Sequence, residues 1–367
     1  VWSGDAYQSF LINRYLYEDD AITKRTLLAL LGKPPYREHI NTINDYSAYL
    51  ILAVCEYIEQ SGDLRFLRQV IDSVEALYQF ICSRLSDEGY VVKRKGDWIF
   101  MDWHSFDKTD PFCPEQILLW KVHTAMAKLN QSLGESAEDC IRRAEKLKEK
   151  IEKDFWCEEK QAYIDSFASG QKKVTRHAAV FAILFDFVDT EKARLLGKSV
   201  LENETVAPIT TPYFKLYELM ALCRLGKIEP MQQYLTEYWG GMLSLGATSI
   251  WEAYDPTQSG EQHLSMYGKP FDRSLCHAWG SGPIYLLGRY CCGVEKNCND
   301  FTVTPNHGIY TEFCAAVPVN GKTVTVEYKN GTYHIVTDAE NGSVIQNGKA
   351  VPLIPNQPLE WTDSEKQ

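Results

Sequence analysis

The sequence predicts a mainly helical chain, a toroid of helical hairpins, followed by a small antiparallel β unit. Three observations carry this reading. Apolar residues recur at helical spacing over most of residues 1–290, helix-stop and helix-start residues punctuate them in pairs, and past Gly293 the texture changes to period two. The hairpins repeat at about 35 to 70 residues with long loops on alternate junctions, too loose for a tight solenoid and suited to a ring with its functional loops at one end.

Ser3 or Asp5 can cap a first helix over residues 6–17, and a second over 21–31 is stopped by Gly32-Lys33-Pro34-Pro35. Tyr46, Tyr49, Leu50, Ala53 and Tyr57 form one apolar stripe, and Leu67, Val70, Ile71, Val74, Leu77 and Ile81 form the next. Ser61-Gly62-Asp63 between them is a stop followed by a start, which implies antiparallel neighbours. Residues 87–114 form a loop carrying Trp98, Asp102, Trp103, Asp107 and Asp110, and loops of such length are often functional. A second strong hairpin uses Ile117, Trp120, Val122, Ala125 and Leu129, the Leu133-Gly134 break, then Ile141, Ala144, Leu147 and Ile151. Further helical stretches cover 176–187, 191–201, 212–225, 229–238 and 271–290. Beyond them, alternation at Thr323-Val324-Thr325-Val326-Glu327-Tyr328 with turns at Asn330-Gly331, Asn341-Gly342 and Asn347-Gly348 predicts about four to six strands. The division expected is a helical domain over 1–295 and a β domain over 296–367, the latter too small to be a full sandwich alone.

A net charge of -11 with no Lys/Arg run argues against a phosphate-tracking surface, so nucleic acid is excluded as a partner class. No apolar run approaches the roughly 20 residues a membrane span needs. Eleven cysteines, odd in number, irregularly spaced and without a Cys-x-x-Cys pair, form neither a disulfide framework nor a zinc site and read as mostly buried thiols, with Cys55 and Cys276 in apolar helical stretches. His104, His177 and His263 lack partners at metal spacing. The opening Val1 with Trp2-Ser3-Gly4-Asp5 reads as mid-motif, as if sequence of a longer polypeptide preceded it; compartment and oligomeric state stay open.

The chemistry centres on Gly246-Ala247-Thr248-Ser249-Ile250-Trp251-Glu252, where a carboxylate follows directly on an indole. Indole faces stack on sugar C–H surfaces, and an adjacent carboxylate can move protons or accept sugar hydroxyls. The pairing of indole with polar group recurs at Trp2-Ser3-Gly4-Asp5, Met101-Asp102-Trp103 and His277-Ala278-Trp279, which suits a carbohydrate site assembled from several loops. Glycoside hydrolysis needs two carboxyls flanking one bond, roughly 6.5–9.5 Å apart for inversion and about 5–5.5 Å for retention. Glu252 is the leading carboxylate, with Asp5 and Asp102 next. Each candidate has a plainer role available: Asp5 as a helix N-terminal charge, Trp98 and Trp103 as loop aromatics packed on the helices, His277 as a core histidine beside Leu275, and Tyr213 as a helix start after Pro212.

Trp2-Ser3-Gly4-Asp5, Asp102-Trp103, Thr211-Pro212-Tyr213, Gly-Ala-Thr-x-x-Trp-Glu ending at Glu252, and Ser274-Leu275-Cys276-His277 follow one another in an order that resembles the bacterial α-L-rhamnosidases of glycoside hydrolase family 78. The resemblance implies an (α/α)6 barrel with a C-terminal β-sandwich and an inverting mechanism without metal or organic cofactor. It implies Glu252 as general base, Asp5 on rhamnose hydroxyls, Asp102 and Trp103 lining the sugar subsite, and Tyr213 and Trp279 among the sugar-binding residues. His277 would hydrogen-bond the sugar and Trp251 would wall its ring and C6 methyl. The family's general acid would lie upstream of Val1. The implied partner is a rhamnose-containing oligosaccharide or glycoside. Departures are Met101 in place of Gly before Asp102-Trp103, a competing Gly96-Asp97-Trp98, Ala253-Tyr254 after Glu252, and Cys276 before His277. Two rival classes remain: a non-catalytic carbohydrate-binding module, and a helical-toroid sugar epimerase or polysaccharide lyase, whose His or Tyr bases and Arg partners are less prominent here.

Overall fold

The computed structural model describes residues 2–346 and 348–362, so Asn347 of the expected Asn347-Gly348 turn lies outside the described residues. Two compact units are present: Val1–Tyr7, Ala21–Ile58 and Gly62–Leu225 make the first, and Gln8–Asp20, Glu59–Ser61 and Gly226–Gln367 the second. The chain is mainly helical and ends in sheets, as the pattern of apolar residues predicts.

The first seven helices in chain order are Ser3–Leu16 (α1), Asp20–Leu31 (α2), Asn44–Ser61 (α3), Leu64–Ser83 (α4), Cys113–Leu133 (α5), Glu138–Phe155 (α6) and Arg176–Leu184 (α7), with Thr190–Leu196 (α8) and Pro212–Arg224 (α9) after them. A short ribbon pairs Trp156–Cys157 (β1) with Ala162–Tyr163 (β2). The turn chemistry is local. Gly62 closes α3 with a left-handed φ of 65°, and Asp63 caps α4 by accepting the Phe66 amide at 2.9 Å. Gly134, at φ 76°, closes α5 in the same way and lets α6 pack back along it. Residues 212–219 of α9 are all buried, so this part of the helix has no solvent face. Its Lys215 is tolerated there because Glu218 accepts from it at 2.5 Å and from Arg176 at 2.6 Å.

The loop between α4 and α5 has little regular structure yet is tightly held. Buried Asp45 accepts the amides of Phe100 (3.2 Å) and Met101 (3.1 Å). Lys108 donates to the carbonyls of Ile99 (2.8 Å) and Phe100 (3.0 Å), and Asp165 accepts the Asp107 amide at 3.1 Å. Satisfying loop backbone this way is what allows it to sit partly buried.

The second unit contains Ile228–Tyr234 (α10), Gly240–Ser244 (α11) and Gly282–Leu286 (α12). The helix expected over 271–290 begins only at Gly282. Residues 274 and 277 instead pair with 250–252: Glu252 N–H donates to the Ser274 carbonyl and His277 N–H to the Ile250 carbonyl, both at 2.9 Å. Pro283 in the first turn of α12 fits a late start. Cys276 accordingly lies exposed rather than in a helical core, while Cys55 is buried.

Among the described residues eight strands follow, more than the alternation predicts. Val294–Lys296 (β3), Phe301–Val303 (β4), Gly342–Gln346 (β8) and Lys349–Pro352 (β9) make one sheet in the order β3-β4-β8-β9. Phe313–Val319 (β5), Lys322–Lys329 (β6), Thr332–Thr337 (β7) and Leu359–Thr362 (β10) make the other, in the order β10-β7-β6-β5. Strands of three or four residues are too short to display a period. All pairs are antiparallel except β4 with β8. The two sheets share one core, including Val294, Phe301 and Val344 from the first and Val317, Val324, Val326 and Ile335 from the second. Tyr15 of α1 joins that core and donates to the Val294 carbonyl at 2.8 Å.

Candidate active site

In the first unit the Trp2-Ser3-Gly4-Asp5 segment is shaped by close packing. Ser3 is buried, and its hydroxyl donates to the Tyr46 carbonyl at 2.7 Å. A Cβ on Gly4 would stand 2.5 Å from Tyr46 Cε1 and 2.9 Å from the Tyr213 hydroxyl, so only glycine fits between those rings. Asp5 follows, partly exposed in the first turn of α1, and accepts the Tyr46 hydroxyl at 3.3 Å. Burial first, and the Asp5 charge second, push the Tyr46 phenol far above its ordinary pKa, so it is a donor at every working pH.

Asp102 lies beneath this surface. Its Oδ1 accepts the Thr211 hydroxyl (2.6 Å) and the Trp103 amide (2.8 Å), and its Oδ2 meets His177 Nε2 at 2.9 Å. Thr211 caps α9, with Pro212 in the first turn, and His177 is in the first turn of α7. The carboxylate therefore sits at the starts of two helices, where partial positive charge favours it. Both oxygens are engaged by protein donors, so Asp102 holds the loop and orients Trp103. The competing Asp97 is bound to Arg84 (2.5 and 2.6 Å).

Aromatic rings continue from there. Trp103 is 37% exposed and stands edge-on to Phe100 at 4.9 Å, with Trp98 5.9 Å away. Phe100 also meets Tyr46 and Tyr213, both at 6.0 Å. Tyr213, expected on the sugar, is fully buried; it backs Phe100 and Gly4 and offers no surface of its own.

The second unit holds Trp251, Glu252, His277 and Trp279. Glu252 is buried, and both its oxygens have donors: the Tyr267 hydroxyl donates to Oε1, the Ser274 amide donates to Oε2 at 3.2 Å, and His277 Nδ1 lies 4.0 Å from Oε2. The Trp279 indole N–H fixes the Glu252 carbonyl at 3.0 Å, and the Trp279 ring lies 4.3 Å from that of His277. Gly280 permits this approach, since a Cβ there would collide with Ile250. Trp251 is almost fully buried and meets Tyr254 at 6.4 Å, while His263 stacks on Tyr254 at 5.7 Å. Arg273 faces Glu252 and Asp255, and burial lowers its pKa against those charges.

Sequence reasoning did not find Asp45, Tyr267 or Arg273. Asp45 sits in a helix start and resembles any first-turn acid. For Tyr267 a signal existed: Tyr267-Gly268 is a turn dipeptide between Met266 and Lys269, close after the Glu252 motif. Chemically, a carboxylate with one oxygen on a phenol, the other on an amide and an imidazole alongside can take a proton from water.

The bacterial alpha-L-rhamnosidase 6 hairpin glycosidase domain model matches residues 1–291. Among solved structures, the family 78 rhamnosidase of Bacillus sp. GL1 superposes with a TM-score of 0.80 at 23% identity, over 94% of this chain and 38% of that one. The rhamnosidase from Klebsiella oxytoca with rhamnose bound gives 0.67 at 20% identity, over 78% and 57%. The Streptomyces avermitilis alpha-L-rhamnosidase complexed with L-rhamnose gives 0.74 at 14% identity, over 98% and 38%. At these identities the likeness is one of fold, and the chain spans less than two thirds of the length of each of these structures. No curated protein sequence matches the chain. With four fifths of its length matched by that domain model, the chain belongs to the bacterial α-L-rhamnosidase six-hairpin glycosidase family.

Proposed function

We propose that the chain supplies the sugar-binding and base side of an inverting glycosidase that releases terminal α-L-rhamnose from a glycan or glycoside. The observation that carries this reading is the support around Glu252: a buried carboxylate that accepts from Tyr267 and Ser274, next to His277, within a member of the rhamnosidase family. Structures of the same fold with rhamnose bound support the choice of sugar.

In this mechanism Glu252 takes a proton from a water as its oxygen attacks C1, and His277 steadies a sugar hydroxyl. Among residues of the first unit, Asp5 and Trp103 are the proposed sugar contacts, a hydroxyl acceptor and an apolar face. Asp102 and Tyr213 act one layer back, by fixing Trp103 and Phe100. The leaving oxygen receives its proton from a second carboxylic acid, the partner that an inverting mechanism requires, with room between the two carboxyls for the water.

The test is Glu252→Gln, assayed on an aryl α-L-rhamnoside. Removing a general base is expected to lower kcat by about 10²–10⁴ while rhamnose binding stays within a few-fold. Near-normal turnover would remove Glu252 from the mechanism.

A further inference from the structure

Tyr267 occupies an unusual place. Its backbone φ is 54°, in the left-handed region where a side chain with a bulky ring is strained. It forms, with Gly268 at φ 74°, the two-residue tip of a tight turn, with Met266 N–H donating to Lys269 O (3.1 Å) and Lys269 N–H to Met266 O (2.9 Å). Positive φ at both tip residues is the pattern of a type I′ turn, which Asn-Gly or Gly-Gly fills without strain. Tyr267 is 53% exposed, so it is not a core residue. Its hydroxyl, however, donates to Glu252 Oε1.

We propose that Tyr267 is a positioning residue that aims the Glu252 carboxylate at the attacking water. A glutamate carboxyl rotates freely about its last bond unless both oxygens are held. Here the Ser274 amide takes Oε2 and the Tyr267 hydroxyl takes Oε1, which fixes the carboxylate plane and with it the lone pairs left for water. His277 approaches from the Oε2 side at 4.0 Å and does not replace the phenol at Oε1. Such a group accelerates the chemical step without adding to ground-state affinity for the sugar.

This inference rests on the rhamnosidase reading, and α-L-rhamnosyl fluoride separates the two. Fluoride leaves with the electron pair of the C1–F bond and needs no general acid. Water oxygen forms the new bond to C1, and the proton it loses passes to Glu252. The chain described here can therefore be assayed as it stands, by fluoride release, as the unmodified protein and as Glu252→Gln, Tyr267→Phe and the double variant. Tyr267→Phe deletes one atom from a half-exposed side chain, and an unchanged melting curve checks that it folds.

The expected result is that Tyr267→Phe lowers kcat at least tenfold with KM within twofold, and that the double variant is no slower than Glu252→Gln alone. A kcat within twofold of the unmodified protein overturns the proposal, as does a loss confined to KM. Losses that multiply in the double variant also overturn it, since Tyr267 would then act apart from Glu252. If the unmodified chain releases fluoride no faster than Glu252→Gln, the rhamnosidase reading itself fails and takes the proposal with it.

Discussion

Asp102 and His177 form a buried pair, 2.9 Å from Oδ2 to Nε2, that ties the loop between α4 and α5 to the first turn of α7. With Thr211 on its other oxygen, Asp102 joins three segments that are distant in sequence. Asp102→Ala strands an imidazole and a hydroxyl, and breaking such a buried arrangement costs about 3 kcal/mol or more. Denaturant unfolding should show that loss, with Asp102→Asn milder. A change below about 1 kcal/mol in the alanine variant would mean that the loop is held elsewhere.

Gly4→Ala gives a prediction whose sign is diagnostic. In an exposed helix the change would stabilise by up to about 1 kcal/mol. Here the new Cβ meets Tyr46 at 2.5 Å, so a loss of about 1–3 kcal/mol is expected instead. Thermal unfolding decides it, and a raised melting temperature would contradict the packing described.

Asp45 makes stability depend on pH. Burial raises its pKa from 3.8 to about 6, only partly offset by the Phe100 and Met101 amides. The folded state thus holds the proton more tightly than the unfolded chain. Its contribution is complete below about pH 4 and is lost as pH rises through about 6, by roughly 3 kcal/mol. Glu115, pushed well up chiefly by burial and by Asp45, acts with the same sign. Carboxylates such as Asp139, drawn down by Arg143, slope the opposite way, so the comparison with Asp45→Asn is what isolates the effect. The unmodified protein's stability relative to the Asp45→Asn variant should fall by roughly 3 kcal/mol between pH 4 and 6; a relative stability independent of pH would rule the assignment out.

Trp103 and Tyr213 should separate cleanly. Trp103 is partly exposed on the loop, and Trp103→Ala is expected to raise KM about tenfold, the equivalent of roughly 1.4 kcal/mol, with kcat little changed. Tyr213 is fully buried, and Tyr213→Ala should instead cost about 3–5 kcal/mol of stability. Steady-state kinetics beside unfolding curves would expose any reversal of these roles.

The helical hairpins were legible because their signals are local: Gly62, Asp63 and Gly134 end and start helices by their own backbone and side-chain preferences. The apolar stripes were nearly right, although Ile141 of α6 is 40% exposed, since a stripe says which face is apolar and not how far burial extends. Residues 271–281 misled because their composition is compatible with a helix, while their structure is set by pairing with 250–252 across an intervening loop. The site was legible where indole and carboxylate are neighbours in sequence. It was illegible where a distant residue completes the geometry, as Asp45 does for Met101.

Buried Lys296 of β3 donates to the carbonyls of Arg14 and Pro318 and to Glu18, while Arg14 returns a bond to the Lys296 carbonyl and Tyr15 to that of Val294. The stretch that leaves α1 is thus stitched to strands that begin only after residue 291, where the family match stops. Trimming the protein at that boundary would orphan the far end of its opening helix, so the tail sheets belong to the same folding unit as residues 8–20 and are no detachable appendix.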